Sequence, residues 1–159
     1  MKVIRRGFTL FELLVAMAVL LVLSSIVLLR FIGPESTARD RLRANDLLQY
    51  KTALELFADK NSGLYPSHTA PVRASTETGL CGDLLLCTQN CSCKEDPRYG
   101  VAPENVYMYL SNGGGGGTAD ATIFVLWTYL EKTDEYLVLC SNNKTGTLMT
   151  PPSSANCPL

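Results

Sequence analysis

Phe8-Thr9-Leu10-Phe11-Glu12-Leu13-Leu14-Val15 opens a run of twenty-two residues, ending at Leu29, in which Glu12 is the single charge. As a helix rising about 1.5 Å per residue, such a run spans roughly 33 Å, enough for a bilayer core of about 30 Å. On its N-terminal side stand Met1-Lys2-Val3-Ile4-Arg5-Arg6-Gly7, with three positive charges and no negative one. Positive flanks stay cytoplasmic, so everything after Leu29 is expected on the far side of the membrane. Arg30, Arg39, Arg41 and Arg43 follow the span, but Glu35, Asp40 and Asp46 offset most of that charge. A cleaved secretory signal would have a shorter apolar core and a small-residue cleavage site, and Arg30-Phe31-Ile32-Gly33-Pro34 fits that poorly. A plain signal anchor leaves Glu12 unexplained. A charged residue at mid-membrane costs about 2.5–3.5 kcal/mol on insertion scales, so this carboxylate needs a partner or a role.

The rest of the composition narrows the function classes. A chain of 159 residues holds one domain, or one domain plus an anchor. With 47% hydrophobic and 18% charged residues it is not disordered throughout. A formal net charge of −1 argues against a nucleic-acid partner held by bulk positive charge. The single histidine, His68, excludes multi-histidine metal centres and His-pair catalysis. Six cysteines in so short a chain point to an oxidising compartment or a metal site.

Arg5-Arg6-Gly7-Phe8-Thr9-Leu10-Phe11-Glu12-Leu13-Leu14-Val15 resembles the leader junction of type IV prepilins and type II secretion pseudopilins. In that family a short basic leader ends in Gly, a Phe becomes the new N-terminus, and a Glu stands fifth after the cut in an otherwise apolar helix. Gly7, Phe8 and Glu12 match position for position. The resemblance implies cleavage after Gly7 by a prepilin peptidase, N-methylation of Phe8, and filament assembly through the helix that carries Glu12. It further implies other copies of the chain, minor pilins or pseudopilins, an inner-membrane assembly platform and membrane lipid as partners. Loss of Lys2, Arg5 and Arg6 with the leader takes the formal net charge from −1 to −4.

Past the span, Gly33-Pro34 predicts a kink or brief break, because proline lacks an N–H and disfavours helical geometry in the residue before it. From Glu35 the sequence is amphipathic. Leu47, Tyr50, Leu54 and Phe57 recur at spacings of three, four and three, one stripe of a helix read as core packing. Arg41, Arg43, Asp46, Lys51, Glu55 and Asp59 are expected on the other faces. Asn61-Ser62-Gly63 supplies the stop, with Tyr65-Pro66 just beyond it. The segments Ala53-Leu54-Glu55-Leu56-Phe57 and Asn61-Ser62-Gly63-Leu64-Tyr65-Pro66 are also similar to those of major pseudopilins and related pilins, apart from Ser62, which intrudes between Asn61 and Gly63.

Residues 68–104 read as an irregular connecting region, broken by Pro71, Gly79, Gly82, Pro97, Gly100 and Pro103, with a short helical turn around Gly82–Leu86. It holds Cys81, Cys87, Cys91 and Cys93. Zinc knuckles space thiolates as C-x₂₋₄-C; Cys87 and Cys91 fit loosely, whereas Cys91 and Cys93 are too close and no histidine is near in sequence. Disulfides are favoured over metal or free thiols, with connectivity left open. Strands are expected at Asn105–Leu110, at Ala121–Leu130 with Ile123, Val125, Trp127 and Tyr129 on one face, and at Glu135–Ser141, joined as antiparallel hairpins. The tail Ser141–Asn156 shows no long element. Its flanking Cys140 and Cys157 resemble the C-terminal disulfide-bounded loop of many type IV pilins, a closure of about 3 kcal/mol in the chain-entropy model.

Gly113–Gly117 lacks the spaced glycines and Lys-Ser/Thr of a phosphate loop and reads as a flexible hairpin loop. Asp120, Glu131, Asp134 and Glu135 fall at strand ends, where charges are ordinarily solvated, so an acid/base pair is not assigned. Many major pseudopilins bind calcium late in the sheet. The matching stretch here, Ser141-Asn142-Asn143-Lys144, is amide-rich and lacks the carboxylates a hard cation favours, so no cofactor is assigned and calcium is doubtful.

The expected fold is α+β: a long N-terminal membrane-spanning helix whose outer half packs on a small antiparallel sheet, the pilin fold. The expected segments are a leader at 1–7, the membrane half of the helix at 8–32, and the amphipathic half with its stop at 33–67. The Cys-rich loop at 68–104 and the sheet with its Cys-bounded tail at 105–159 follow. The expected location is single-pass in the cytoplasmic membrane with the C-terminal domain outside, then a periplasmic or extracellular filament. The leading function is a non-enzymatic filament subunit of a type II secretion pseudopilus or a type IV pilus, with an adhesion or DNA-uptake pilin as the near alternative. The alternative is a membrane-anchored, disulfide-rich binding domain that does not polymerise. A hydrolase ranks third, because nothing supplies an activated nucleophile.

Overall fold

The computed structural model describes residues 7–31, 34–84 and 93–159. Two compact units divide the chain, residues 1–35 and 36–159. In the first, helix α1 runs Leu10–Phe31. Its large apolar side chains, from Leu10 to Leu23, are exposed. Among the described residues no helix is long and apolar enough to cross a membrane; side chains of α1 are described only as far as residue 25. The expected span over 8–32 extends beyond them. The expected kink at Gly33-Pro34 also falls at Ile32 and Gly33, outside the described residues.

Helix α2 runs Pro34–Lys60, and the second unit is built on it from Ser36 onward. Pro34 takes the first helical position, where its missing N–H costs nothing, and Glu35 and Lys60 complement the dipole at the two ends. The helix stops where Ser62 and Gly63 adopt φ of +59° and +84° and the Gly63 N–H closes onto the Ala58 carbonyl at 2.8 Å. The buried stripe is Arg43, Leu47, Tyr50, Leu54 and Ala58. Phe57, expected in the core, is only half-buried, and Arg43, expected on an outer face, is fully buried. Its place is four residues before Leu47, on the same face of the helix.

Strands β1 (Tyr65–Pro66), β2 (Val72–Arg73), β3 (Met108–Ser111), β4 (Ala119–Ala121), β5 (Phe124–Leu130), β6 (Glu135–Cys140) and β7 (Thr145–Leu148) follow, with a short helix α3 at Leu80–Asp83. An antiparallel sheet has the order β2-β3-β5-β6-β7, and β1 pairs with β4 apart from it. The expected strand Ala121–Leu130 divides in two. Asn112 Oδ1 accepts the N–H groups of Thr122 and Ile123 at the break, so these two donate out of the ladder. The tail expected to hold no long element contains only the four-residue β7, whose Thr-Gly-Thr-Leu sequence has no apolar alternation to announce it.

Registers decide the faces. Tyr109 pairs with Leu126 and Leu126 with Leu139, and these side chains share a core with Leu47, Tyr50 and Leu54 of α2. Leu110 pairs with Val125, and Trp127 with Val138, on the opposite face. That face is not left to water: Ala155, Cys157 and Leu159 pack against it from the tail. The central strand β5 is therefore buried on both sides, which a one-faced amphipathic pattern does not anticipate.

Gly113–Gly117 is tied down by its own amides, with the Gly117 N–H on the Ser67 carbonyl at 2.9 Å. The Gly114 N–H donates to Asp120 Oδ2 and the Gly115 N–H to Ser67 Oγ, both at 2.9 Å. Gly113 has φ of +101°, and a Cβ there would run into Ser67 and the Asp120 carboxylate, so glycine is required for close approach rather than for slack.

Candidate functional site

At the N-terminal junction Gly7 and Phe8 precede the helix, and Phe8 is 84% exposed. Helix α1 begins directly after Thr9. The Glu12 N–H donates to Thr9 Oγ1 at 3.2 Å, and Glu12 Oε2 accepts from the Thr9 N–H at 3.0 Å and the Thr9 hydroxyl at 2.9 Å. This is a capping box, Thr at N-cap and Glu at N3, satisfying donors that the first turn leaves unpaired. Glu12 thus has a partner before any cleavage. The T-x-x-E spacing carried this signal in the sequence, and the apolar context drew the reading past it.

The structure joins Cys81 to Cys93 and Cys140 to Cys157, with Cα atoms 6.0 and 5.7 Å apart. Cys87 and Cys91 lie outside the described residues. The second bridge closes the tail over the back face of the sheet, where Cys140 and Cys157 belong to one apolar cluster. Among the described residues no group of three or more His, Cys, Asp or Glu side chains could hold a metal ion. His68 Nε2 meets Asp83 Oδ2 at 2.5 Å, linking the segment after β1 to α3.

The densest charge cluster surrounds Arg43, whose side chain is 0% exposed. Its Nε and Nη2 fork onto Asp96 at 2.6 and 2.8 Å, Nη1 reaches Asp40 at 2.8 Å, and Nη2 also meets Glu131 at 2.7 Å. Arg39 meets Glu131 at 2.7 Å and Arg98 meets it at 3.1 Å. Asp40 accepts the backbone N–H groups of Glu131 and Lys132, each at 3.0 Å. Three arginines and three carboxylates from α2, the 93–105 loop and the β5–β6 turn thus neutralise one another. Burial opposes the Arg43 charge, but Asp96, Glu131 and Asp40 outweigh it and raise its pKa above the ordinary value. The Arg39 guanidinium, against the cost of burial and helped by Arg43 and Arg98, holds the Glu131 carboxyl down at about 2. Glu131, expected to be solvated at a strand end, is instead the hub of this lock. The arrangement has no nucleophile at its centre; it fixes the helix to the sheet.

On the back face a groove of about 670 Å³ is lined by Arg73, Tyr99, Val101, Trp127, Tyr136 and Pro152, among others. The Arg73 guanidinium lies 5.5 Å from the Tyr99 ring centre and donates to its hydroxyl at 2.6 Å.

The prokaryotic N-terminal methylation motif matches residues 4–28. The chain therefore carries the signature of type IV pilins and pseudopilins, structural proteins processed as prepilins. The match covers the junction and most of α1. The second unit, with its helix packed on an antiparallel sheet, is consistent with the pilin fold. No curated protein and no solved structure matches the chain.

Proposed function

We propose that the chain is a structural filament subunit. Prepilin peptidase cuts it after Gly7, Phe8 is N-methylated, and residues 8–32 anchor it once across the cytoplasmic membrane with the second unit outside. The assembly platform then adds it, with copies of itself and minor pilins or pseudopilins, to a type II secretion pseudopilus or a type IV pilus. The observation that carries this proposal is the coincidence of the methylation motif with an exposed Gly7-Phe8 junction immediately before a helix whose apolar start holds Glu12.

Glu12 is assigned to assembly. Cleavage creates an amino group at Phe8 on every subunit, close to this carboxylate along the chain. A neighbouring subunit shifted along the filament presents the same cation, so pairing between subunits removes uncompensated charge and sets axial register. Thr9 holds the carboxylate near the N-terminus in the precursor without neutralising it. Glu12→Val is expected to leave a processed, folded subunit that enters filaments poorly, read by imaging sheared filaments at matched subunit levels. Undiminished filament yield from Glu12→Val removes this role.

The reading of a non-polymerising, membrane-anchored binding domain has the aromatic groove beside Tyr99 and Trp127 in its favour. Its volume falls in the range of small-ligand sites, about 300–1,000 Å³. A processed chain that never appears in sheared fractions when co-expressed with an assembly machine would favour it.

A further inference from the structure

Arg43 is buried in α2, yet the carboxylate it grips most closely comes from a loop, and that loop is covalently tied. Cys93 stands three residues before Asp96, and between them the Lys94 carbonyl accepts the Tyr50 hydroxyl at 2.8 Å. Asp96 is itself sealed from solvent, and its Oδ1 takes the Arg98 N–H at 2.8 Å. At the other end, fully buried Cys81 on α3 donates its N–H to the Ala74 carbonyl at 3.0 Å, and the Ala74 N–H donates to the Tyr107 carbonyl of the main body at 2.8 Å. The Cys81–Cys93 bond therefore runs from the packed core to the segment that delivers Asp96.

We infer that this disulfide gates the Arg43 lock, so that the second unit completes its charge network only after oxidation. In the dithiol form the Asp96 segment is held near α2 by its chain connection to buried Tyr107 and by non-covalent contacts, without the cross-link between residues twelve apart in sequence that lowers the entropy lost on docking. Arg43 then keeps Asp40 and Glu131 as partners, so helix and sheet stay packed while Asp96 is detached. The chemistry balances by thiol–disulfide exchange with an oxidised dithiol partner. A sulfur–sulfur bond forms between Cys81 and Cys93, the partner's disulfide breaks, and two electrons and two protons pass to its sulfurs. Cys140–Cys157 belongs to the apolar cluster on the opposite face of the sheet, which makes it the internal control. The inference does not depend on whether the chain polymerises.

The test uses the full chain in detergent micelles. Asp96→Asn should raise the unfolding constant at least tenfold in the oxidised protein and less than twofold in a Cys81→Ser/Cys93→Ser background. An equal effect in both backgrounds overturns the inference. A second measurement covers a double variant that does not fold: hydrogen exchange of the Cys140→Ser/Cys157→Ser chain, which keeps the Cys81–Cys93 bond, before and after brief reduction. The Arg98 and Tyr99 amides, which donate to Asp96 Oδ1 and to the Asp96 carbonyl, should exchange at least tenfold faster on reduction while β5 and β6 keep their protection. No acceleration there, or equal acceleration across β5 and β6, overturns the inference.

Discussion

Replacing Arg43 by Met tests the charge lock where it is deepest. The substitution keeps an unbranched side chain in the buried stripe but removes the fork onto Asp96 and the bonds to Asp40 and Glu131. Asp96 has no exposed side-chain surface, so its carboxylate loses its counter-charge without gaining water. Removing one member of a buried pair costs about 3–5 kcal/mol. Asp40 and Glu131 retain their backbone and Arg39 bonds, which argues for the middle of that range, about 4 kcal/mol. For a unit of this size the midpoint of thermal unfolding should fall by on the order of 10–25 °C. Circular dichroism of the full chain in micelles reads it directly. Arg43→Met combined with Asp96→Leu removes both charges together and should recover much of the loss, since well-packed apolar pairs often replace buried ion pairs at little cost. A single variant that melts within about 2 °C of wild type would refute the reasoning, because uncompensated burial predicts several kcal/mol. A double variant as damaged as the single would show that packing of the Arg43 stem, not its charge, is what matters.

Two further outcomes follow from the same geometry. Glu131 has a folded pKa of about 2 against an ordinary 4.5, so its contribution to stability is complete above about pH 4.5. It should fade as pH falls from there toward 2, and Glu131→Gln should flatten that acid limb in pH-dependent thermal unfolding. Cys140→Ser/Cys157→Ser should cost about 3 kcal/mol in denaturant unfolding and loosen Ala155 and Leu159 from the back of the sheet, while non-reducing peptide mapping of wild type recovers the 140–157 pair.

The features legible in the sequence were those with a strong period or a backbone requirement. The α2 stop at Asn61-Ser62-Gly63 is written in residues that tolerate positive φ, and Leu47, Tyr50 and Leu54 occupy one stripe by spacing alone. Glu135–Cys140 and the end of Ala121–Leu130 are short apolar runs rich in aromatic and β-branched residues, the composition of buried strands. Arg43 was hidden because a charge was assigned outward by its type, although its spacing from Leu47 places it on the buried stripe. Nothing local identifies Asp96 and Glu131 as its partners, since they approach only through tertiary structure, fifty-three and eighty-eight residues away in sequence. The second buried face of β5 had a local sign in the nearly unbroken apolar run Phe124–Leu130, but what covers it did not, since that is a tail of mixed composition folded back over the sheet.

Mass spectrometry of the mature N-terminus, on chain recovered from cells with an assembly machine, tests the central claim most directly. The account predicts a first residue of Phe8 carrying one added methyl group, and uncut precursor when Gly7 is replaced by a bulky residue. A wild-type chain that keeps its leader, or is cut elsewhere, or is processed equally well without Gly7, would contradict it.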